Sequence, residues 1–154
     1  MLSLDYIKHS YYHFKILEKG VIRLIDFSSI HHVSLPVTDL EKAKMFYGNV
    51  LGLKEIKRPP FDFPGAWYEV GQQQLHLIVY EEAQTLRRID NLDTKDGHLA
   101  IRVTNYYETL AYLKQQNVDI DTRPKSTSGF AQIFCKDPDN NLIEFNVEQS
   151  ELDV

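Results

Sequence analysis

The sequence predicts an α+β protein in which two copies of a β-α-β-β-β unit form a cupped mixed sheet behind an N-terminal helical extension. Three observations predict it. The strand His32-Val-Ser-Leu-Pro-Val-Thr38 recurs as His98-Leu-Ala-Ile-Arg-Val-Thr104. Each copy runs into a helix-period stretch, and each helix is followed by strand-period segments with turn formers between them. The units span 30–80 and 97–147 within a domain of 28–150, and residues 1–27 form the extension.

In the extension, Leu4, Ile7, Tyr11, Phe14 and Leu17 recur at spacings of three and four, between Ser3 as a helix cap and Gly20 as a stop. This predicts an amphipathic helix over about 3–19, then a short strand or linker over 21–27. In the first unit, Val33, Leu35 and Val37 take one strand face and His32, Ser34 and Pro36 the other. A helix follows from Asp39 to about Asn49, with Leu40, Ala43, Phe46, Tyr47 and Val50 as its apolar stripe. Strands are expected at 53–58, 66–70 and 74–80. In the second unit the helix runs from Tyr106 to about Gln116 with Leu110, Ala111 and Leu113 inward, and strands follow at 119–123, 130–136 and 142–147. The short strands end in Arg58-Pro59 and Arg123-Pro124, where proline stops pairing. The linker 81–96 is polar.

Composition narrows the function. Of 154 residues, 43% are hydrophobic and 25% charged, the balance of a globular domain, and the net charge is −5. An acidic chain without basic runs offers no footprint for a nucleic-acid backbone or an anionic membrane. No apolar run approaches the ~20 residues of a membrane span. A single cysteine, Cys135, forms no internal disulfide and suits a reducing cytoplasm.

Four polar residues occupy equivalent places in the two units. His32 and His98 open the first strands, and His76 and Glu144 sit in the last strands, within Leu75-His76-Leu77 and Ile143-Glu144-Phe145. Their apolar neighbours face the helices, so all four are expected to point into the cup. Imidazole nitrogens with a carboxylate suit a divalent Zn, Ni, Fe, Mn or Co ion. Such an ion polarises carbonyls or stabilises developing negative charge. Glu144 and His76 are then the candidate general bases. The same alternation puts Arg102, Tyr80, Ile78 and Gln132 on the pocket face. Arg102 would pair with a substrate carboxylate or phosphate, or form a surface ion pair. Ser34, Gln132 and Asn146 are candidate donors to the ligands. Trp67, Tyr68, Phe61 and Phe63 would make an apolar rim. His31 is expected on the face opposite His32, His9 and His13 on the surface, and Cys135 in the core.

The segments His31-His-Val-Ser-Leu-Pro-Val-Thr-Asp-Leu-Glu41, Phe46-Tyr-Gly-Asn-Val-Leu-Gly-Leu53 and Asp137-Pro-Asp-Asn-Asn-Leu-Ile-Glu144 resemble the vicinal oxygen chelate superfamily. That superfamily holds glyoxalase I, methylmalonyl-CoA epimerase, extradiol dioxygenases, and fosfomycin- and bleomycin-resistance proteins. The stretch 58–67 looks like its glyoxalase-like subgroup. The resemblance implies paired modules, a homodimer, and a metal on His32, His76, His98 and Glu144. One position departs: bacterial-type glyoxalase I usually carries glutamate where this chain has His76, which removes one candidate base. The expected activity is metal-dependent lyase or isomerase chemistry on a small substrate with vicinal oxygens. An Fe(II) extradiol-type dioxygenase is an alternative, although His76 would fill a position that oxygen or substrate needs. A metal-free small-molecule binding protein is another, although such relatives generally lack the ligand set.

Overall fold

Eight strands and two helices carry the architecture of the computed structural model, which describes residues 25–153. The chain separates into two units, Met1–Ile30 and His31–Val154. Of the first, residues 25–30 are exposed and without regular structure. The helix expected over 3–19 lies outside the described residues, as do His9 and His13.

The second unit contains β1 (His32–Val37), α1 (Leu40–Lys44), β2 (Lys54–Ile56), β3 (Gly65–Val70), β4 (Gln73–Val79), β5 (His98–Arg102), α2 (Tyr106–Gln115), β6 (Ile120–Arg123), β7 (Phe130–Lys136) and β8 (Leu142–Glu148). They form two four-stranded mixed sheets with the same order, β1-β4-β3-β2 and β5-β8-β7-β6. In each sheet the first and last strands of the repeat pair in parallel and the remaining pairs are antiparallel. Such parallel pairing needs a long crossover, which the intervening helix and strands supply.

Asp39 caps α1 by accepting from the Lys42 backbone N–H at 3.1 Å, and Asn105 caps α2 by accepting from Glu108 N–H at 3.1 Å. The first helix departs from the expected regular helix. Beyond Lys44 it widens into a π-helical turn over Met45–Val50, and Leu51 N–H bonds back to Phe46 C=O at 2.8 Å. The widened turn still buries both Phe46 and Tyr47. In α2 the inward face is Tyr106, Leu110 and Leu113, whereas Ala111 is exposed. Ala111 lies about 100° around the helix from Leu110 and further still from Leu113, so it cannot share their face.

Both helices pack on their sheets, α1 on β3 and β4 and α2 on β7 and β8. One apolar cluster draws on both halves, from Val37, Tyr47, Leu75 and Leu77 to Ile133, Ile143 and Val147. The turn 137–141 fastens the halves together. Thr38 donates to Asp139 through its backbone N–H at 3.1 Å and its hydroxyl at 2.5 Å. Tyr47 Oη donates to Asp137 at 2.9 Å, and Asn141 Nδ2 donates to the Pro36 carbonyl at 3.0 Å. Burial raises the Asp137 carboxyl, and the bonds from Asn141 and Tyr47 oppose that rise. Among the described residues no helix is long and apolar enough to cross a membrane.

Candidate functional site

Strand alternation turns the buried Leu75 and Leu77 toward the helices and His76 the other way, and it treats Ile143, Phe145 and Glu144 alike. Register then sets each neighbourhood. His76 lies opposite Trp67 on one side and Ser34 on the other, and Glu144 lies opposite Phe134 and Ala100. The expected equivalence of the two halves therefore extends to their cross-strand neighbours.

In the first half, His76 is held between two flat rings. Trp67 stacks on it at 3.9 Å between centroids and His32 at 4.2 Å. Its Nε2–H donates to Gln74 Oε1 at 2.9 Å, which leaves Nδ1 with the free lone pair. Burial, followed by the neighbouring His32 and His31, lowers its pKa below the ordinary imidazole value. A neutral ring is the form that ligates metal. His31 does not sit apart from His32 as its strand position suggests. Its Nδ1 shares a hydrogen bond with His32 Nδ1 at 2.8 Å, and the rings meet edge to face. His31 precedes the first ladder residue of β1, so strand alternation does not bind it.

In the second half, the geometry calls for a cation. His98 Nδ1–H donates to the Asp96 carbonyl at 2.8 Å, so Nε2 carries the lone pair. That nitrogen lies 3.2 Å from Glu144 Oε2. Two lone-pair acceptors at this separation repel unless a proton or a metal ion lies between them. Glu144 is only 4% exposed. Gln132 donates to its Oε2 at 2.9 Å and Asn146 to its Oε1 at 2.7 Å. Gln132, expected as a donor and as a substrate contact, and Asn146, expected as a donor, are both engaged with Glu144. Phe134, which sequence reading passed over, sets its edge against His98 at 5.7 Å; its place opposite Glu144 in the ladder is the signal that would have found it.

Each half thus assembles a pair, His32 with His76 and His98 with Glu144. Among the described residues no three His, Cys, Asp or Glu side chains converge to hold one ion. Arg102 forms an exposed ion pair with Glu148 at 2.8 Å and lies over the Phe130 ring, the surface alternative of the two expected. Tyr80 is 55% exposed just beyond the end of β4. Of the aromatic residues expected at a rim, Phe61 and Phe63 stack on each other with Arg58 over both rings, and Phe61 lies tilted against Trp67 at 6.0 Å. Tyr68 is the exception: it adjoins Trp67 in the strand, so it points to the opposite face and packs in the core beside Tyr47. Cys135 is fully buried in the core as expected, and burial pushes its thiol up to about 12.

Known proteins share this fold. The family model described as Glyoxalase/Bleomycin resistance protein/Dioxygenase superfamily matches residues 29–145. A lactoylglutathione lyase of Neisseria meningitidis is 32% identical over 131 residues, spanning 77% of this chain and 90% of that protein. Glyoxylase I 4 of Arabidopsis thaliana is 28% identical over 120 residues, spanning 76% and 69%. A crystal structure of a glyoxalase family protein from Bacillus anthracis superposes with a TM-score of 0.67 at 25% identity, over 80% of this chain and 98% of its own. TnmS3, an antibiotic binding protein from Streptomyces, superposes with a TM-score of 0.64 at 25% identity, over 80% and 97%. With the duplicated module and its strand order in hand, the match places this chain in the Glyoxalase/Bleomycin resistance protein/Dioxygenase superfamily.

Proposed function

We propose that this protein is a metal-dependent lyase or isomerase of glyoxalase type, acting on a small substrate with two vicinal oxygens. The observation that carries the reading is Glu144, a buried carboxylate with both oxygens held by amides and one of them facing the lone pair of His98. The residues that would hold the ion are His98 and Glu144 with His32 and His76. A divalent ion there would supply Lewis acidity to the substrate oxygens, stabilising the charge that develops as a proton leaves the adjacent carbon. Once loosened from the ion, Glu144 Oε2 would take that proton and return it to the neighbouring carbon. Gln132 and Asn146 orient the carboxylate, and Trp67 with Phe61 and Phe63 offers an apolar wall. The likeness to lactoylglutathione lyases supports a proton-transfer reading over ring cleavage.

The pairs sit apart within one chain, so the reading includes a homodimer in which the first pair of each copy meets the second pair of the other. A two-fold axis then forms two such sites. Mixing tests this. His32→Ala and Glu144→Gln chains are each inactive alone, but a mixed dimer holds one intact site, so activity returns. No recovery after subunit exchange means that the site is not shared between copies.

The base assignment is tested by solvent deuterium exchange at C2 of the lactoyl group of lactoylglutathione, followed by NMR with metal content measured alongside. Glu144→Gln should slow exchange roughly 10²–10⁴-fold with metal retained. Unchanged exchange removes Glu144 as the base. A second reading, a metal-free binding protein, is favoured by the likeness to TnmS3. Elemental analysis after reconstitution separates the two: near-stoichiometric metal, lost in a His98→Ala variant, sides with the enzyme.

A further inference from the structure

Both strands that open the repeat begin on a histidine, and each of these rings has its Nδ1 engaged from upstream. In the second half the preceding residue is Gly97, which has no side chain to offer, and the Asp96 carbonyl meets His98 Nδ1 at 2.8 Å. In the first half the preceding residue is His31, and its own ring does the corresponding work. His31 Nδ1 lies 2.8 Å from His32 Nδ1, with the rings edge to face at 5.1 Å between centroids. The His31 backbone is tied to the sheet, because its carbonyl accepts from Gln74 N–H at 3.0 Å. Its side chain lies outside the ladder and is exposed. Two neutral imidazole nitrogens at that separation share a single proton, so one ring donates and the other accepts. The choice has a chemical consequence. If His31 donates, His32 keeps its own proton on Nε2 and has no lone pair left for an ion. If His32 donates, its Nε2 carries the free lone pair, as in His98.

We propose that His31 is a positioning residue of the candidate metal site: it accepts the Nδ1 proton of His32 and so holds the His32 Nε2 lone pair free for a divalent ion. Two contacts fix the His32 ring. Its face lies against His76 at 4.2 Å between centroids, which sets the plane of the ring. The bond from its edge to His31 sets its rotation within that plane. A ring fixed in both respects presents one nitrogen in one direction. An ion on Nε2 draws electron density from the ring and makes Nδ1–H a stronger donor, so ligation and the bond to His31 reinforce each other. Asp96 and His98 make the same arrangement in the other half, with a backbone carbonyl as the acceptor. His31 does not touch the ion and acts only through His32. This role rests on the metal-dependent reading above, but the place of the proton can be read without metal.

The test is long-range nitrogen–proton NMR of isotopically labelled, metal-free protein at about pH 9, above the imidazole range, where each ring nitrogen reports whether it carries a proton. His32 is expected to be protonated on Nδ1 and bare on Nε2. His31→Ala should move the His32 proton toward Nε2, the position an unconstrained imidazole favours. The same variant should weaken Zn2+ binding, measured against a competing chelator, roughly tenfold. His31→Asn, whose Oδ1 can stand in for Nδ1 as the acceptor, should restore both. When Zn2+ is added to the unaltered protein, the coordination shift belongs at His32 Nε2 and not at His31. A His32 proton on Nε2 in the unaltered protein overturns the proposal, as does His31→Ala that leaves either the proton or the affinity unmoved. A coordination shift at His31 also overturns it, because His31 is then a ligand, and so does a loss in His31→Ala that asparagine does not restore. If the unaltered protein takes up no Zn2+ at all, the metal-dependent reading falls, and the proton position alone decides whether His31 orients His32.

Discussion

The two halves of the domain share strand order, register and the place of their inward polar residue, yet each holds its pair of polar residues by different physics. In the first half, His76 is gripped by ring faces, Trp67 on one side and His32 on the other. In the second, Glu144 is gripped by hydrogen bonds from Gln132 and Asn146. The ladder explains the difference. Gln132 pairs with Asn146, and at the matching places of the first half stand Gly65 and Ile78, which supply no side-chain donor. An imidazole can be positioned by its faces, but a buried carboxylate needs donors. The scaffold is common to both, and the neighbours across the strand decide which kind of polar side chain each half can hold.

Gly65 could not simply be exchanged for its counterpart. A Cβ at that position would lie 2.4 Å from the Leu77 carbonyl oxygen, a backbone atom that cannot swing aside. Gly65→Ala is therefore the most damaging of the changes that would make the halves alike, with an expected loss of about 3 kcal/mol in denaturant unfolding. A neutral result would show that the first half has room for a polar brace. Next in size is Asn146→Leu, which strips a donor from Glu144 Oε1 and should cost about 2 kcal/mol. In a Glu144→Leu background the same change should cost much less, because the charge that needed the donor is gone. Equal costs in the two backgrounds would mean that Asn146 supports the fold rather than the carboxylate.

The smallest effect is on pH dependence. His76 has its pKa lowered in the fold, first by burial and then by His32 and His31. The unfolded chain therefore binds the proton more readily than the folded one. The sign follows: the contribution is present above the unfolded value of 6.5 and is lost as pH falls through the lower folded value. Unfolding of metal-free protein between neutral and mildly acidic pH should show this loss, and His76→Gln should flatten it. An unchanged slope in that variant would assign the acid sensitivity elsewhere.

Much of this was legible in the chain itself. Period-two alternation around Leu75-His76-Leu77 and Ile143-Glu144-Phe145 determines which face each residue takes, because a strand offers only two. The His-led repeats revealed the duplication, and the turn formers 137–141 marked the bend before the last strand. Local pattern failed where a residue's partner lies outside its own element. Tyr68 reads as a rim aromatic by composition, but its neighbour Trp67 had already taken that face. His31 reads as the back of a strand, but it precedes the first rung and is free to turn onto His32. Arg87 reads as one charge in a polar linker, and only the fold buries it at the edge of a cavity.

The sequence by itself determined the two β-α-β-β-β units, a cap at Thr38 or Asp39 for the first helix, and the equivalence of His32 with His98 and of His76 with Glu144 in the two units. These follow from local periodicity, from capping chemistry and from repetition, which a single chain displays without folding. Tertiary structure decided the rest: the tautomer that Asp96 imposes on His98, the amides that hold Glu144, the rings that hold His76, and the two pairs standing apart rather than as one set. Each of these depends on atoms brought together from distant parts of the chain, and no spacing along the sequence encodes their distances.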